Sequence, residues 1–111
     1  MEIAFDPARL SKDFNDSKRL IRKHGDRRAK LIRRRLDELK AATTLADMRY
    51  LPGPRCHELR GNRAGQLSVD LDHPYRLLFT VAEPIPLRDD GGLDWERVTQ
   101  VVVIGVEDTH E

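Results

Sequence analysis

The chain has 111 residues, enough for one small domain and too few for two independent cores or for most enzymes built around a large cofactor. Hydrophobic residues make up 39% and charged residues 35% of the sequence, which argues against disorder of the whole chain. The longest apolar run, residues 101–104, is too short for a membrane helix, and the start of the chain lacks the apolar stretch of a secretory signal. We therefore expect a single domain over residues 1–111 that works in the cytoplasm, away from membranes.

The chain begins with a pattern that predicts a strand and then a helix. Residues 1–5 alternate weakly in polarity, and Asp6 followed by Pro7 suits the start of a helix with Asp6 as its cap. Apolar residues then recur at helical spacing until Gly25, a typical helix stop. This pattern predicts one continuous helix over residues 7–24.

A second helix is predicted immediately afterwards. Asp26 can cap it, and an apolar stripe repeats at steps of three and four residues as far as residue 42. A connection this short makes the two helices antiparallel neighbours, with Lys30 and Arg34 on the outward side. Thr44 and Asp47 have the spacing of a capping box, which predicts one further helical turn before the prolines that follow.

The second half of the chain changes to the alternating period of strands, so the predicted fold class is α+β. Residues 66–71 and 75–81 predict a hairpin, and residues 54–59 predict a weaker strand. Residues 83–94 combine prolines, paired glycines and acids, a composition typical of a surface loop. Residues 98–106 are β-branched and almost continuously apolar, which predicts a strand near the centre of the sheet and covered on both faces. Five strands are expected in all.

The net charge of +1 conceals an uneven distribution. Residues 1–40 carry 13 Lys and Arg against 7 Asp and Glu, whereas residues 77–111 carry 2 against 8. A basic half suits contact with a phosphate backbone, but it is also typical of a densely charged, solvated pair of helices.

The candidate catalytic and binding residues are polar side chains at predicted strand ends and turns: His57, Arg60, Arg63, Arg76, Asp108 and His110. A sheet places the ends of its strands side by side, so these residues can surround one shallow surface. The two imidazoles suit acid and base roles, because an imidazole in a positioned site can take or give a proton. The guanidinium of Arg76 suits an anionic, phosphorane-like transition state, and the other two arginines suit flanking phosphates.

Plainer roles fit the same residues. A histidine on a strand, an arginine on an open sheet face and a residue near the chain end are all common without any function. A metal site made by the two histidines and Asp108 is an alternative that no short histidine spacing supports. Tyr75 and Trp95 could stack on bases, although packing is the commoner use of a lone aromatic ring.

Three segments together resemble a known family. Residues 52–69, with the sequence PGPRCHELRGNRAGQLSV, closely resemble the signature of bacterial RelE/ParE-superfamily toxins, and of the HigB-type killer proteins in particular. Residues 75–79 (YRLLF) are similar to their aromatic-arginine strand, and residues 106–110 (VEDTH) to their C-terminal Asp-Tyr-His ending. The resemblance implies a RelE-like fold, in which an N-terminal strand and a helical hairpin pack on a small, mainly antiparallel sheet.

The resemblance also implies a function. Family members are toxins of type II toxin-antitoxin modules, and HigB-type members cut messenger RNA on the ribosome and so inhibit translation, with no metal and no cofactor. His57, Asp108 and His110 stand at the positions of HigB-type active-site residues, and Arg76 stands at the superfamily's strand arginine. RNA phosphates would then contact further basic residues, namely Arg60, Arg63, Lys30 and Arg34.

The partners that the resemblance implies are a helix-turn-helix antitoxin of the HigA type, the ribosome with its messenger RNA, and operator DNA reached only through the antitoxin. The chain departs from the family pattern at Thr109, where HigB-type proteins usually have tyrosine, and in the longer acidic loop of residues 83–97. Two alternatives therefore stay open. One is a ParE-like gyrase inhibitor that cuts no RNA, and the other is a degenerate toxin that only binds an antitoxin and acts as a co-repressor.

Overall fold

A five-stranded mixed sheet carries the helices on one of its faces. The computed structural model describes residues 1–109, and its elements run in the order β1 (Glu2–Phe5), α1 (Leu10–Phe14), α2 (Ser17–His24), α3 (Asp26–Ala41), β2 (His57–Glu58), β3 (Gln66–Asp70), β4 (Tyr75–Val81) and β5 (Gln100–Asp108). The spatial order of the strands is β1-β5-β4-β3-β2. Strand β1 is parallel to β5, and the other neighbouring strands are antiparallel. The predicted α+β class and the predicted hairpin are confirmed.

The core lies between the sheet and the helices. Alternate residues of β3 and β4, such as Leu67 and Phe79, are buried against Leu20 of α2 and Ile32 of α3. Each of these side chains stabilises the fold by roughly 1.5–3 kcal/mol through the apolar area that it removes from water. The intervening residues of the same strands, such as Ser68 and Leu78, lie on the opposite face of the sheet, away from the core that the helices help to form.

The prediction of one helix over residues 7–24 is wrong. The chain forms two helices there, and Asp16 between them has an extended backbone with φ −123° and ψ 109°. Its carboxylate accepts hydrogen bonds from the backbone N–H groups of Lys18 and Arg19, so Asp16 caps a new helix and does not continue the old one. The predicted cap at Asp6 is wrong as well, because α1 starts after Arg9, which makes no side-chain cap bond.

The second predicted helix is confirmed as α3, with one change at its start. Gly25 has a φ of 82° and both ends α2 and precedes α3, which leaves Asp26 as the first helical residue and not the cap. Only glycine adopts this backbone conformation without strain, so a single residue turns the chain between two helices. The predicted capping box of Thr44 and Asp47 is present at the following turn of 3₁₀ helix.

The last strand differs from its prediction in its first residue and in the burial of one of its faces. Strand β5 begins two residues later, at Gln100, and lies between β1 and β4. Val101 and Val103 are buried, whereas Val102 and Ile104 are only half-buried, because they lie where no helix covers the sheet. The strand is therefore covered on one face.

The loop before β5 contains its own local structure. Leu87 and Leu93 form a β-bridge, and Trp95 at the end of the loop is buried. The indole Nε1 of Trp95 donates a hydrogen bond to Glu58 Oε2 at 3.0 Å, and the guanidinium of Arg49 lies 4.2 Å from the ring centroid. The loop is thereby attached to β2, the edge strand. Among residues 1–109, no helix has both the length and the apolarity needed to cross a membrane.

An ion pair joins the helical layer to the turn of the hairpin. Arg28 of α3 donates through Nε to Asp72 Oδ1 at 2.9 Å and through Nη2 to Oδ2 at 3.1 Å, and its guanidinium lies 3.5 Å from the centroid of the Tyr75 ring. The hydrogen bond from Arg28 holds the pKa of Asp72 below its ordinary value of 3.8.

We predict that Arg28→Ala lowers the free energy of unfolding at pH 7 by about 1–3 kcal/mol, because it removes two charge-assisted hydrogen bonds and a stacked cation. The lowered pKa means that Asp72 stabilises the fold above pH 3.8 and that this contribution is lost as the pH falls through the folded-state pKa. The difference in free energy of unfolding between the wild type and Arg28→Ala, measured by urea denaturation, should therefore become smaller below pH 3.8. Arg27→Ala, an exposed neighbour, is the control and should change stability by less than about 0.5 kcal/mol. An equal decrease in the free energy of unfolding in Arg28→Ala and Arg27→Ala would contradict the prediction.

Candidate functional site

The end of β3 is fixed by a buried arginine. Arg35 of α3 is only 7% exposed, and its Nε donates to the backbone oxygen of Asp70 at 2.7 Å while its Nη1 contacts Glu38 Oε1 at 2.8 Å. The backbone N–H of Asp70 also donates to the oxygen of Pro54 at 2.7 Å. Asp70 is therefore held on both sides of its peptide, and its carboxylate has a defined position at the end of the strand.

Arg55 is attached to this carboxylate. Its Nε lies 2.8 Å from Asp70 Oδ2, and its Nη2 lies 3.5 Å from Oδ1. Arg55 has a φ of 46°, the one positive φ among the non-glycine residues described in the chain. A residue with a Cβ adopts that conformation only when its surroundings hold it there, and such positions concentrate at functional sites.

Arg76 reaches the same carboxylate from the neighbouring strand. It lies opposite Asp70 in the register between β3 and β4, and its Nε is 3.5 Å from Asp70 Oδ1. Its side chain is 11% exposed, compared with 59% for Arg55. Arg76 thus lies low on the face that the helices leave open, and Arg55 lies above it at the surface.

An open pocket of about 650 Å³ lies over these residues. We call it the basic pocket, and it is lined by Arg55, His57, Glu58, Leu59, Arg60 and Arg76. Three of the residues predicted from the sequence, His57, Arg60 and Arg76, are therefore brought together. A shallow concave surface with three guanidinium groups and an imidazole is suited to an extended polyanion.

The imidazole of His57 is oriented by the backbone. Its Nδ1 lies 2.9 Å from the carbonyl oxygen of Arg55, and because that oxygen can only accept, Nδ1 carries the hydrogen. In the neutral ring the lone pair is then on Nε2, the atom that can take a proton from a bound molecule. His57 lies opposite Ser68 in the register between β2 and β3, so it shares the open face with Arg76.

Arg63 lies beside the pocket and has a local acidic partner. Its Nη2 is 3.0 Å from Glu107 Oε1, and its Nη1 is 3.2 Å from Gln66 Oε1. Glu107 lies opposite Arg76 in the register between β4 and β5. The cations of this face are therefore interleaved with the carboxylates of Asp70 and Glu107.

The residues at the end of β5 do not line the basic pocket as far as the structure describes them. Asp108 is exposed and lies opposite Tyr75, one register position beyond the pair of Arg76 and Glu107. Thr109 is 5% exposed, and its hydroxyl has no hydrogen-bond partner within residues 1–109. His110 lies outside the residues that the structure describes.

The predicted RNA contacts on α3 lie away from the basic pocket. Lys30 and Arg34 are exposed on the helical layer, and each has an acidic neighbour one turn away, Asp26 at 3.3 Å and Glu38 at 3.8 Å. The aromatic residues that the sequence offered for base stacking have other roles. Trp95 is buried, and the ring of Tyr75 is covered by Arg28.

No set of three or more His, Cys, Asp or Glu side chains within residues 1–109 is arranged to hold a metal ion. The chemistry that the described residues themselves offer is proton transfer by an imidazole and binding of negative charge by guanidinium groups.

Sequence reasoning missed Arg55, Asp70 and Glu107. For two of them the sequence contains a feature that could have drawn attention to the residue. Asp70 ends a strand with alternating polarity, which places it on the polar face with Arg76, and Arg55 follows a Pro-Gly-Pro turn. The positive φ of Arg55 has no signal in the sequence, because arginine is not a residue that favours it.

Comparison with known proteins identifies the family. A family model described as the RelE-like toxin of the type II toxin-antitoxin system HigB matches residues 4–86, which is more than half of the chain. The chain belongs to the HigB-like toxin family. The sequence-based assignment to RelE-like, HigB-type toxins is thereby confirmed. The matched range contains His57, Arg60 and Arg76 and ends within the loop before β5.

Among solved structures, the YoeB-YefM complex from Staphylococcus aureus is similar to this HigB-like chain. The TM-score is 0.54 and the identity is 18%, with 100% of this chain and 98% of the other covered. At that identity the likeness shows a shared fold. No curated protein matches the chain.

Cys56, between the two pocket residues Arg55 and His57, provides a test of how firmly this segment is packed. Burial raises the pKa of its thiol from 9.0 to about 12. We predict that at pH 8 the native HigB-like chain reacts with a thiol reagent roughly 1,000-fold more slowly than the urea-unfolded chain, in proportion to its smaller thiolate fraction. The measurement has no background from other thiols, since Cys56 is the one cysteine of the sequence. Similar rates in the two states would show that this segment is open.

Proposed function

We propose that this HigB-like toxin is an endoribonuclease that cuts messenger RNA on the ribosome without a metal ion and thereby inhibits translation. The observation that carries the proposal is the gathering of His57, Arg60 and Arg76 in one open pocket, with His57 and Arg76 on the face of the sheet opposite the helical core. Membership of the HigB-like toxin family supports it.

In the proposed reaction the 2′-oxygen of a ribose attacks the adjacent phosphorus and the bond from phosphorus to the 5′-oxygen breaks. His57 takes the proton of the 2′-hydroxyl through Nε2, since its Nδ1 is engaged by the carbonyl of Arg55. The leaving 5′-oxygen needs a proton in return. We assign that role to His110, with Asp108 as the residue that orients it.

Arg76 is proposed to stabilise the negative charge that grows on the phosphate oxygens. Its position suits that role, because it is fixed by Asp70 at 3.5 Å and lies 11% exposed in the floor of the pocket, where electrostatic interactions are stronger than at the surface. Arg60 and Arg63 would contact flanking phosphates, and Lys30 and Arg34 would contact RNA on the opposite side of the sheet.

The proposed partners follow from the family. A type II toxin has an antitoxin, and we propose a helix-turn-helix protein of the HigA type, through which the complex reaches operator DNA. The presence of a similar fold in the solved YoeB-YefM complex supports the expectation of a protein partner. We place the protein in the cytoplasm, where translating ribosomes are.

We predict that His57→Ala lowers the rate of messenger cleavage on programmed ribosomes by at least about 100-fold, since it removes the proton acceptor. Arg76→Ala should lower the rate by about 100- to 1,000-fold through loss of charge stabilisation. The cleavage sites are mapped as new 5′ ends, and His73→Ala, which replaces an exposed histidine of the hairpin turn, is the control. Cleavage by the wild type with no loss in the two pocket variants would contradict the assignment, and DNA breakage without cleaved messages would select a gyrase inhibitor.

A second prediction concerns the partner. Co-expression with a HigA-type antitoxin should yield one complex in size-exclusion chromatography with light scattering, and growth arrest by the wild-type toxin should be relieved. Separate elution of the two proteins would exclude that partner. Tight binding with a toxin that neither slows growth nor cuts messages would instead identify a co-repressor.

A further inference from the structure

Two guanidinium groups in the basic pocket share a single carboxylate. Arg55 contacts both oxygens of Asp70, at 2.8 and 3.5 Å, and Arg76 contacts Oδ1 at 3.5 Å. Like charges this close repel each other, so an anion between them is what keeps both in place. The carboxylate itself is fixed from below, because Arg35 and Pro54 hold the backbone of the same residue.

The unusual backbone of Arg55 serves two contacts at once. With φ at 46° its side chain points to Asp70 while its carbonyl oxygen accepts the hydrogen bond from His57 Nδ1 at 2.9 Å. One strained residue therefore couples the orientation of the imidazole to the position of a guanidinium. The side chain of Arg55 is also 59% exposed, so a large ligand can contact it at the surface.

We infer that Arg55 and Arg76 form a two-point phosphate clamp for adjacent phosphodiesters of RNA, and that Asp70 is the positioning residue that sets the spacing of the two guanidinium groups. The inference rests on the proposed function for the reaction, but binding of phosphate by Arg55 does not depend on it. Arg76 holds the phosphate next to His57, and Arg55 holds the next phosphate along the chain. Planar guanidinium groups suit this task because they bind phosphate oxygens in pairs.

The clamp differs from a simple counter-ion arrangement in what the carboxylate does. As a counter-ion, Asp70 would compete with the substrate phosphate, and neutralising it would improve both binding and cleavage. As a positioning residue, it keeps the guanidinium groups in register with the imidazole, so neutralising it leaves phosphate binding intact and slows the chemical step.

The clamp is tested with matched variants of two similar ion pairs. Arg97 lies 2.8 Å from Asp94 through the same atoms, Nε and Oδ2, and is 63% exposed, which makes this pair a control for Arg55 and Asp70. The variants are Arg55→Ala and Asp70→Asn, with Arg97→Ala and Asp94→Asn as controls. Affinity for inorganic phosphate is measured by NMR titration, and kcat and KM are measured with programmed ribosomes.

For Arg55→Ala we expect the Kd for inorganic phosphate and the KM for messenger to rise about 10-fold, because the variant loses a guanidinium that binds a phosphate outside the reacting bond. Arg55→Lys keeps the charge without the fork and should show a smaller rise, about threefold. It also guards against a folding defect in the alanine variant. An unchanged Kd for phosphate in both Arg55 variants would overturn the phosphate subsite.

For Asp70→Asn we expect an equal or lower Kd for phosphate and a fall of about 10-fold in kcat, whereas Asp94→Asn changes neither. A rise in kcat together with tighter phosphate binding would overturn the positioning role and make Asp70 a competing counter-ion. Arg55-dependent phosphate binding in a wild-type protein that cuts no RNA would refute the proposed nuclease and leave the phosphate subsite standing.

Discussion

The contact of the buried Arg35 guanidinium with the backbone of Asp70 is the constraint on which the pocket depends. It joins the middle of α3 to the end of β3, and Glu38 balances its charge from the same helix. A buried arginine without partners would be strongly destabilising, so this residue is useful only in an arrangement that satisfies its donors. The arrangement thereby fixes, from the helical layer, the backbone of the residue whose carboxylate Arg55 and Arg76 share.

That open face also explains how a chain with a net charge of +1 can present a binding surface for a polyanion. Its arginines are interleaved with Asp70 and Glu107, which reduces the repulsion between neighbouring guanidinium groups. Such pairs at a surface add little to stability, but they fix the geometry of side chains that are otherwise flexible. The excess of basic residues near the start of the chain lies instead on the helices, on the other side of the sheet.

Much of the fold was predictable, because the spacing of apolar residues along the sequence differs between strands and helices. The alternation over residues 66–81 gives the hairpin, and the stripe through Ile32 and Leu39 gives α3. The same spacing could not predict whether the chain continues one helix or ends it and starts another. The break at Asp16 depends on whether a carboxylate caps the next helix or faces solvent, and both outcomes are compatible with the surrounding apolar spacing.

The candidate site was predictable in part for a related reason. His57 and Arg76 could be found as polar residues on strands, because alternation places them on the face that the core does not use. Arg55 could not, since its role depends on a backbone angle that its residue type disfavours. Asp70 could be placed on the same face but not identified as shared, because sharing depends on where the side chains of Arg55 and Arg76 meet in three dimensions.

The hydrogen bond from Trp95 to Glu58 has a consequence for how the acidic loop and the pocket influence each other. The indole attaches the loop to the residue next to His57, on the edge strand that has the shortest pairing in the sheet. A molecule that binds the loop and shifts this indole therefore acts on the strand that carries His57. Where such binding changes the affinity of the pocket for its ligand, that ligand changes the affinity of the loop by the same factor.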